Sequence, residues 1–338
     1  MRILRIKCSI SCVLKQTLCS TCVIVGLLMF NNLMNGEISY LLRFSYSMNN
    51  LNNIVKEIEL NGYTSAHILN NVGERYVVSI DPSDTLCNSI SCEMFDIVFI
   101  VKSSIGNFEQ RNAIRKTWGT SDKIRLKTLF VVGYIDGLQE YIENESYTYN
   151  DIIQFNVLDN YENLVYKTIL SLFWLVNNRI STQYVHFVDD DRMVNTMNLF
   201  QFAVNNIKPT QIMMIGHKLS FRRPFRDRSS KYYISTAEYP YDFWPPYLIG
   251  GTILTNMKVV KKLALAIPYV NIIHMEDAFI GILSALLEIN IVHNSGFLPY
   301  FSSGIELKDK LSCPDYKSKD LMVTNWNVIS SNGFHWRR

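Results

Sequence analysis

YVHFVDDDRMVN, spanning Tyr184 to Asn195, is an apolar run that ends abruptly in three carboxylates, Asp189, Asp190 and Asp191. Val185, Phe187 and Val188 are residues that fill buried strands, so the stretch predicts a strand whose carboxyl end delivers the three acids together. Open α/β sheets bind ligands just beyond the carboxyl ends of their strands. Three adjacent carboxylates repel one another, and a hard divalent cation held by oxygen relieves that repulsion. A solvated acidic turn or a helix N-cap would use the same residues, because Asp favours caps.

The chain before this stretch alternates strand and helix signals. FDIVFIV (Phe95 to Val101) is a continuous apolar run of buried-strand type, followed by Lys102-Ser103-Ser104 and an amphipathic stretch in which Phe108, Ile114 and Trp118 can share a helix face. Arg111 and Arg115, four apart, share another face. Two guanidiniums just beyond a strand end can hold a diphosphate, and a solvated basic helix face has the same spacing. LFVVG (Leu129 to Gly133) and IIQFNV (Ile152 to Val157) read as further strands. Between Tyr161 and Asn178, Leu164, Val165, Ile169, Leu172, Phe173 and Val176 fall on one helix face. This alternation predicts an α/β fold with a mostly parallel sheet and helices on both sides.

At 338 residues and 48% hydrophobic, the chain can bury a substantial core. Its formal charge of +3 and the lack of a long basic run argue against nucleic acid as a partner. Arg2, Arg5, Lys7 and Lys15 precede an uncharged apolar stretch, and the pattern predicts a cytosolic tail (1–16), a signal-anchor helix (17–34), a stem (35–90) and a lumenal domain (91–338). A cleaved signal peptide is the alternative, but no small-x-small site follows Phe30. Within the stem, Leu51 to Leu60 has the pattern of a short helix. Of seven cysteines, Cys87, Cys92 and Cys313 lie beyond the anchor, an odd number that allows one internal bridge at most. Asn144-Glu145-Ser146 is a glycosylation sequon, usable only in the secretory pathway.

Two later stretches carry chemistry. In HMEDAFIGILSALLEI (His274 to Ile289), Phe279, Leu283, Leu286 and Leu287 describe a buried helix face, which places Glu276 and Asp277 at the helix's amino end, where acids also complement the dipole. YPYDFWPPY (Tyr239 to Tyr247) cannot be helix interior, because Pro240, Pro245 and Pro246 remove donors and fix φ. Its Trp244 and Tyr247 can stack on a sugar ring or pack under a rigid loop, while Gly250 and Gly251 permit close backbone approach to a ligand. Arg222, Arg223, Arg226 and Arg228 form the densest basic patch and read as a solvated loop.

RNAIRKTWG (Arg111 to Gly119), Asp159-x-Tyr161-x-Asn163-Leu164 with Lys167, FVDDDRMVN, SKYYISTAEYPYDFWPPYLIGG (Ser230 to Gly251) and EDAFIGI (Glu276 to Ile282) stand in the order seen in the β-1,3-glycosyltransferases, which this chain resembles from roughly Asp96 to Asn294. The family includes the β-1,3-galactosyl- and β-1,3-N-acetylglucosaminyltransferases of the Golgi. WPPY and the bulky residue after DDD look most similar to its invertebrate Brainiac-like branch.

The resemblance implies a glycosyltransferase A-type nucleotide-binding sandwich and inverting transfer from a UDP-sugar donor to a glycan acceptor on a glycoprotein or glycolipid. It implies a Golgi membrane protein, single-pass with its catalytic domain lumenal. By the same resemblance Mn²⁺ is held by Asp191 with Asp189, and the UDP-sugar by Arg111, Arg115, Asp189 and Asp190. Asp277 becomes the base, with His274 its rival, and Trp244, Tyr247, Gly250, Gly251 and Glu276 line the acceptor side. Two departures stand out. Members carry a short C-terminal strand ending in a His ligand, and the matching LMVTNW has Asn325 there; Arg192 directly after the triad competes with a metal unless it points away. A catalytically silent relative that binds glycan or partner is the second reading. A phosphohydrolase would use the acids but leave WPPY and the Glu-Asp pair unexplained.

Overall fold

The computed structural model describes residues 50–86 and 93–331. The expected tail (1–16), anchor (17–34), first part of the stem (35–49), Cys87 and Cys92 lie outside the described residues. No helix among those described is long and apolar enough to cross a membrane.

The chain runs α1 (Leu51–Asn61), α2 (Val72–Arg75), β1 (Val78–Ile80), α3 (Ser83–Leu86), β2 (Met94–Lys102), α4 (Phe108–Arg115), β3 (Leu126–Tyr134), α5 (Gln139–Tyr149), β4 (Ile152–Leu158), α6 (Leu164–Asn177) and β5 (Ser181–Asp189). It continues through β6 (Met193–Val194), α7 (Thr196–Asn206), β7 (Met213–Leu219), β8 (Tyr247–Asn256), α8 (Met257–Ala266), α9 (Glu276–Leu286), β9 (Asn290–His293), β10 (Ser312–Cys313) and α10 (Lys319–Ser331). Eight strands form one mixed sheet in the order β1-β4-β3-β2-β5-β8-β7-β9. The run β4-β3-β2-β5 is parallel, as the alternation predicts. β8 enters antiparallel between β5 and β7, and β9 pairs parallel to β7. The sequence reading has no strand at β8, because its two glycines break the apolar run.

The sheet is buried on both faces, which explains the continuous apolar strands. Val98 and Ile100 of β2 point with Leu129, Val131 and Phe155 into the core beneath α6 and α8. Ile97, Phe99 and Val101 point the other way, joining Phe130, Ile114, Trp118 and Leu199 under α4 and α7. Period-two alternation thus splits every central strand between two cores. Phe108 departs from the expected face and is 41% exposed, so of those three residues only Ile114 and Trp118 reach the core.

The stem boundary needs correction. Leu51 and Val55, one turn apart on α1, are buried in the first core, and β1 pairs antiparallel with β4 at the sheet edge. Residues 51–86 therefore belong to the folded unit. The short helix expected at Leu51 to Leu60 is present as α1, but two apolar anchors in an Asn- and Ser-rich background do not reveal that it packs on the core. The C-terminal segment needs another correction: LMVTNW is part of α10, and the short strand beside the acids is β10, which pairs with β6 immediately after the triad.

Candidate active site

Two neighbouring strand ends open the site. Lys102, last residue of β2, lies in register with Asp189, last residue of β5. The Lys102 ammonium donates to Glu276 Oε1 at 2.7 Å and Oε2 at 2.9 Å and to the Gly250 carbonyl at 3.0 Å, and stands 3.1 Å from Asp189 Oδ1. Burial alone would lower its pKa, but Asp189 and Glu276 outweigh that and raise it. A buried, fully charged lysine thus ties β2, β5, β8 and α9 together at one point. Sequence reasoning passed it over as a polar residue after a strand; a lysine closing a buried strand was the available signal.

The three acids meet different fates beside a cleft of about 640 Å³ that they line with Ser103, Asn107, Tyr161 and Lys317. Asp190 is buried and accepts from Ser103 Oγ at 2.6 Å and Asn107 Nδ2 at 2.9 Å. Asp189 is partly exposed and leans on Lys102. The Asp191 side chain is in no hydrogen bond or ion pair described, and its carboxyl is pushed up to about 6 by burial and by repulsion from Asp189 and Asp190. Arg192 does not line the cleft: it is buried and donates to the Leu298 carbonyl at 3.3 Å, but its charge still reaches Asp189 and Asp191 from behind.

An unpartnered, half-buried carboxylate is what an oxygen-bound cation relieves, so Asp191 with Asp189 fits the implied metal. No cluster of three or more His, Cys, Asp or Glu in metal-holding geometry occurs among the described residues. Two carboxylates suffice when substrate phosphates and water complete the shell. The expected histidine position is empty of nitrogen ligands: β10 leads into Pro314, while Asn325 is buried in α10, accepting from the Gly304 amide at 2.6 Å and donating to the Leu321 carbonyl. Lys317, reaching the cleft from the segment after β10, brings an ammonium that is paired with Asp315 at 3.0 Å and also acts on Asp191.

Ionising Asp191 in the folded chain costs stability. Because its pKa rises from 3.8 to about 6, that cost is absent below the lower value and complete once pH exceeds the upper one. Asp191→Asn is therefore expected to stabilise the metal-free protein by about 1–2 kcal/mol at pH 7.5 and to be nearly neutral at pH 4. Melting scans at the two pH values check this.

Across the site, Glu276 and Asp277 are the first two residues of α9. Glu276, expected on the acceptor side, is instead buried and held by Lys102 and by a short hydrogen bond from Thr168 Oγ1, so its oxygens are spent inside the protein. Asp277 remains half-buried, its pKa raised by burial and held back by the Gly250 amide and by Lys102. The glycines serve these acids rather than a ligand. A Cβ on Gly250 would lie 2.4 Å from Asp277 Oδ1, and one on Gly251 would lie 2.8 Å from both Asp189 Oδ2 and Arg192 Nε. Tyr247 stands close enough to feel Asp277, which with burial pushes its phenol up to about 12.

Other expected ligands lie elsewhere. Arg111 is buried, its guanidinium committed to Glu145 at 2.6 and 2.8 Å, Ser103 Oγ and the Ser104 and Ile105 carbonyls. Arg115 pairs with Asp151 and Glu145 and stacks on Tyr149, 4.0 Å from its ring centroid. Neither lines the cleft; buried guanidiniums with such partners hold α4 to α5. Trp244 is buried on Tyr239, ring centroids 4.0 Å apart, so it is packing beneath the loop. His274 pairs with Glu238 at 2.9 Å. Asp159 and Lys167 clamp the Ser103–Ile105 turn: Lys167 Nζ donates to Asp159 and to the Ser103 carbonyl, and Asp159 accepts from the Ile105 amide. Asn144 lies exposed on α5.

Fold and site together define an α/β protein with an acid-lined cleft at the carboxyl edge of its parallel strands and, at a helix start behind that lining, a further carboxylate, Asp277, close enough to feel Asp189. The galactosyltransferase family model matches residues 109–295, and the chain belongs to that family. It is 27% identical over 246 residues to beta-1,3-galactosyltransferase brn of Drosophila melanogaster, covering 70% of this chain and 75% of that one. With beta-1,3-galactosyltransferase bre-5 of Caenorhabditis elegans it shares 30% over 249 residues, 70% of this chain and 76% of that one. Its identity to the rat UDP-GlcNAc:betaGal beta-1,3-N-acetylglucosaminyltransferase 7 is 30% over 257 residues, 70% and 64% of the two chains.

Proposed function

We propose that this chain is a hexosyltransferase that moves galactose or N-acetylglucosamine from a UDP-sugar to a glycan acceptor, forming a β-1,3 linkage with inversion. Membership of the galactosyltransferase family and the names of its relatives support the reaction. The observation that carries it to this site is Asp277: a half-buried carboxylate with a raised pKa, fixed by the Gly250 amide beside an acid-lined cleft. In this reading an Asp277 oxygen takes the proton of the acceptor hydroxyl as the hydroxyl oxygen bonds to the anomeric carbon. The bond from that carbon to the diphosphate breaks on the opposite side, and UDP departs with the bonding pair. Lys317 faces the charge that develops there, while Ser103 and Asn107 keep Asp190 fixed at the floor. Asp191 and Asp189 would hold Mn²⁺, whose chemistry when bound is to neutralise the diphosphate.

The glycosyltransferase A-type assignment is part of the same proposal, supported by the parallel strands that end in Lys102 and Asp189. So is a Golgi protein of type II topology, supported by the basic residues before stretch 17–34 and by the Asn144 sequon. A catalytically silent role is not favoured, because the relatives are transferases by name and both Asp191, on the cleft, and Asp277, beside it, are present. A panel of UDP-sugars offered with simple glycosides, with and without Mn²⁺, tests the reading. Transfer from UDP-galactose or UDP-N-acetylglucosamine is the expected result; no transfer and no donor hydrolysis with any of them would sink it.

A further inference from the structure

At one edge of the cleft a row of aromatic residues, which only Tyr161 carries into the lining, is unused by this chemistry. Tyr161, between β4 and α6, lines the cleft with the three acids and is 46% exposed. The Tyr232 ring meets it edge-on, centroids 6.1 Å apart, and Phe225, 55% exposed, continues the row 5.6 Å beyond. Lys231 lays its ammonium 5.2 Å from the Tyr161 centroid and 4.8 Å from that of Tyr232. Lys231 is in none of the ion pairs formed among the described residues.

The row is held in shape. Arg226 donates to the carbonyls of Ile234 at 2.9 Å and Tyr239 at 2.7 Å, and the Ile234 amide returns to the Phe225 carbonyl at 2.9 Å. Its charge is one-sided: Arg222, Arg223, Arg228 and Lys231 are exposed, while Asp227, the acid among them, turns back on Ser229. It is also near the base, since the Tyr161 phenol is raised by burial and by the charges of Tyr232, Asp277, Glu276 and Asp189. Exposed aromatic rings beside a base offer flat apolar faces to sugar C–H surfaces, and an ammonium fixed over two rings loses little freedom on meeting an anion.

We propose that Tyr161, Tyr232, Phe225 and Lys231 form an acceptor subsite that takes the sugar next to the reacting one and prefers a sugar carrying an anion, either a uronate carboxylate or a sulfate ester. This rests on the glycosyl-transfer reading and names the acceptor class for it. The row of rings sets where the second sugar lies, and Lys231 sets which charge it carries.

Saturation-transfer NMR with a neutral lactoside, its uronate counterpart and its sulfate ester tests this on the full chain without needing turnover. The anionic ligands should bind roughly two- to fivefold more tightly than the neutral one. Lys231→Gln should erase that preference, and Tyr232→Leu should weaken all three about two- to tenfold. UDP titration of both variants should match wild type, which shows that they fold. The uronate and sulfate arms, compared with each other, show which anion the subsite takes. Equal binding of neutral and anionic ligands by wild type, a preference that survives Lys231→Gln, or unchanged binding in Tyr232→Leu would overturn the subsite. Sugar transfer without this selectivity defeats the subsite alone, whereas selective binding without transfer from any UDP-sugar defeats the reaction alone.

Discussion

Asp277→Asn is expected to lower turnover by on the order of 10² to 10⁴ while leaving UDP-sugar affinity nearly unchanged. Asn preserves the shape and can still accept from the Gly250 amide, but it cannot take the acceptor's proton. The opposing account is that an acid at the start of α9 merely complements the helix dipole, which would cost roughly 0.3–1 kcal/mol of stability on removal and spare the rate. The geometry separates the two further. Burial raises the Asp277 pKa, so ionising it already costs the folded protein, and Asn should hold or slightly raise the melting temperature. A stable variant with a lost rate is the signature of the base. Measuring melting temperature, initial rate and UDP affinity on one preparation gives the answer; a rate near wild type per folded molecule would remove Asp277 from the mechanism. His274, already engaged with Glu238, would then need that ion pair broken before it could serve.

The parallel half of the fold was legible because its strands are buried on both faces and so appear as uninterrupted apolar runs. Phe95 to Val101 and Tyr184 to Val188 needed no partner to be recognised. The antiparallel half was not, because β8 carries Gly250 and Gly251 where a strand reader expects β-branched residues. Those glycines exist because carboxylates occupy the space a Cβ would fill, a reason visible only in three dimensions. Asp189 and Asp277 do stand at element ends, as the apolar run before the one and the helix pattern after the other predict, with Asp191 two residues beyond its strand. Spacing could not place Arg111 and Arg115, because an i, i+4 pair looks the same whether it faces a cleft, solvent or a buried Glu145. Glu276 was misplaced for a related reason: adjacent acids on a helix point in different directions, and only one of this pair meets a lysine. Lys102 has no motif of its own, since its role depends on three partners at least 87 positions away.

Lys102→Met tests that role with an effect on both stability and rate. Methionine keeps the buried stem and removes the ammonium, leaving Glu276 and Asp189 without their shared cation. Stranding a buried carboxylate in this way costs about 3–5 kcal/mol, which lowers the melting temperature of a domain this size by roughly 6–20 °C. A purely structural lysine predicts no more than that. Yet Lys102 also grips the Gly250 carbonyl, one peptide from the amide that holds Asp277, and its charge keeps the Asp277 pKa from rising further. Losing the cation should therefore move the acidic limb of kcat/KM to higher pH. The double variant Lys102→Met, Glu276→Gln separates the roles, because it neutralises the buried stranded acid and leaves only Asp189, which is partly exposed. Stability should largely return in the double variant, while kcat stays down by about 10- to 100-fold, since Gly250 and Asp277 remain untethered. Recovery of rate together with melting temperature would reduce Lys102 to a fold element, whereas a restored fold with a depressed rate and a shifted pH limb identifies it as the residue that positions the base.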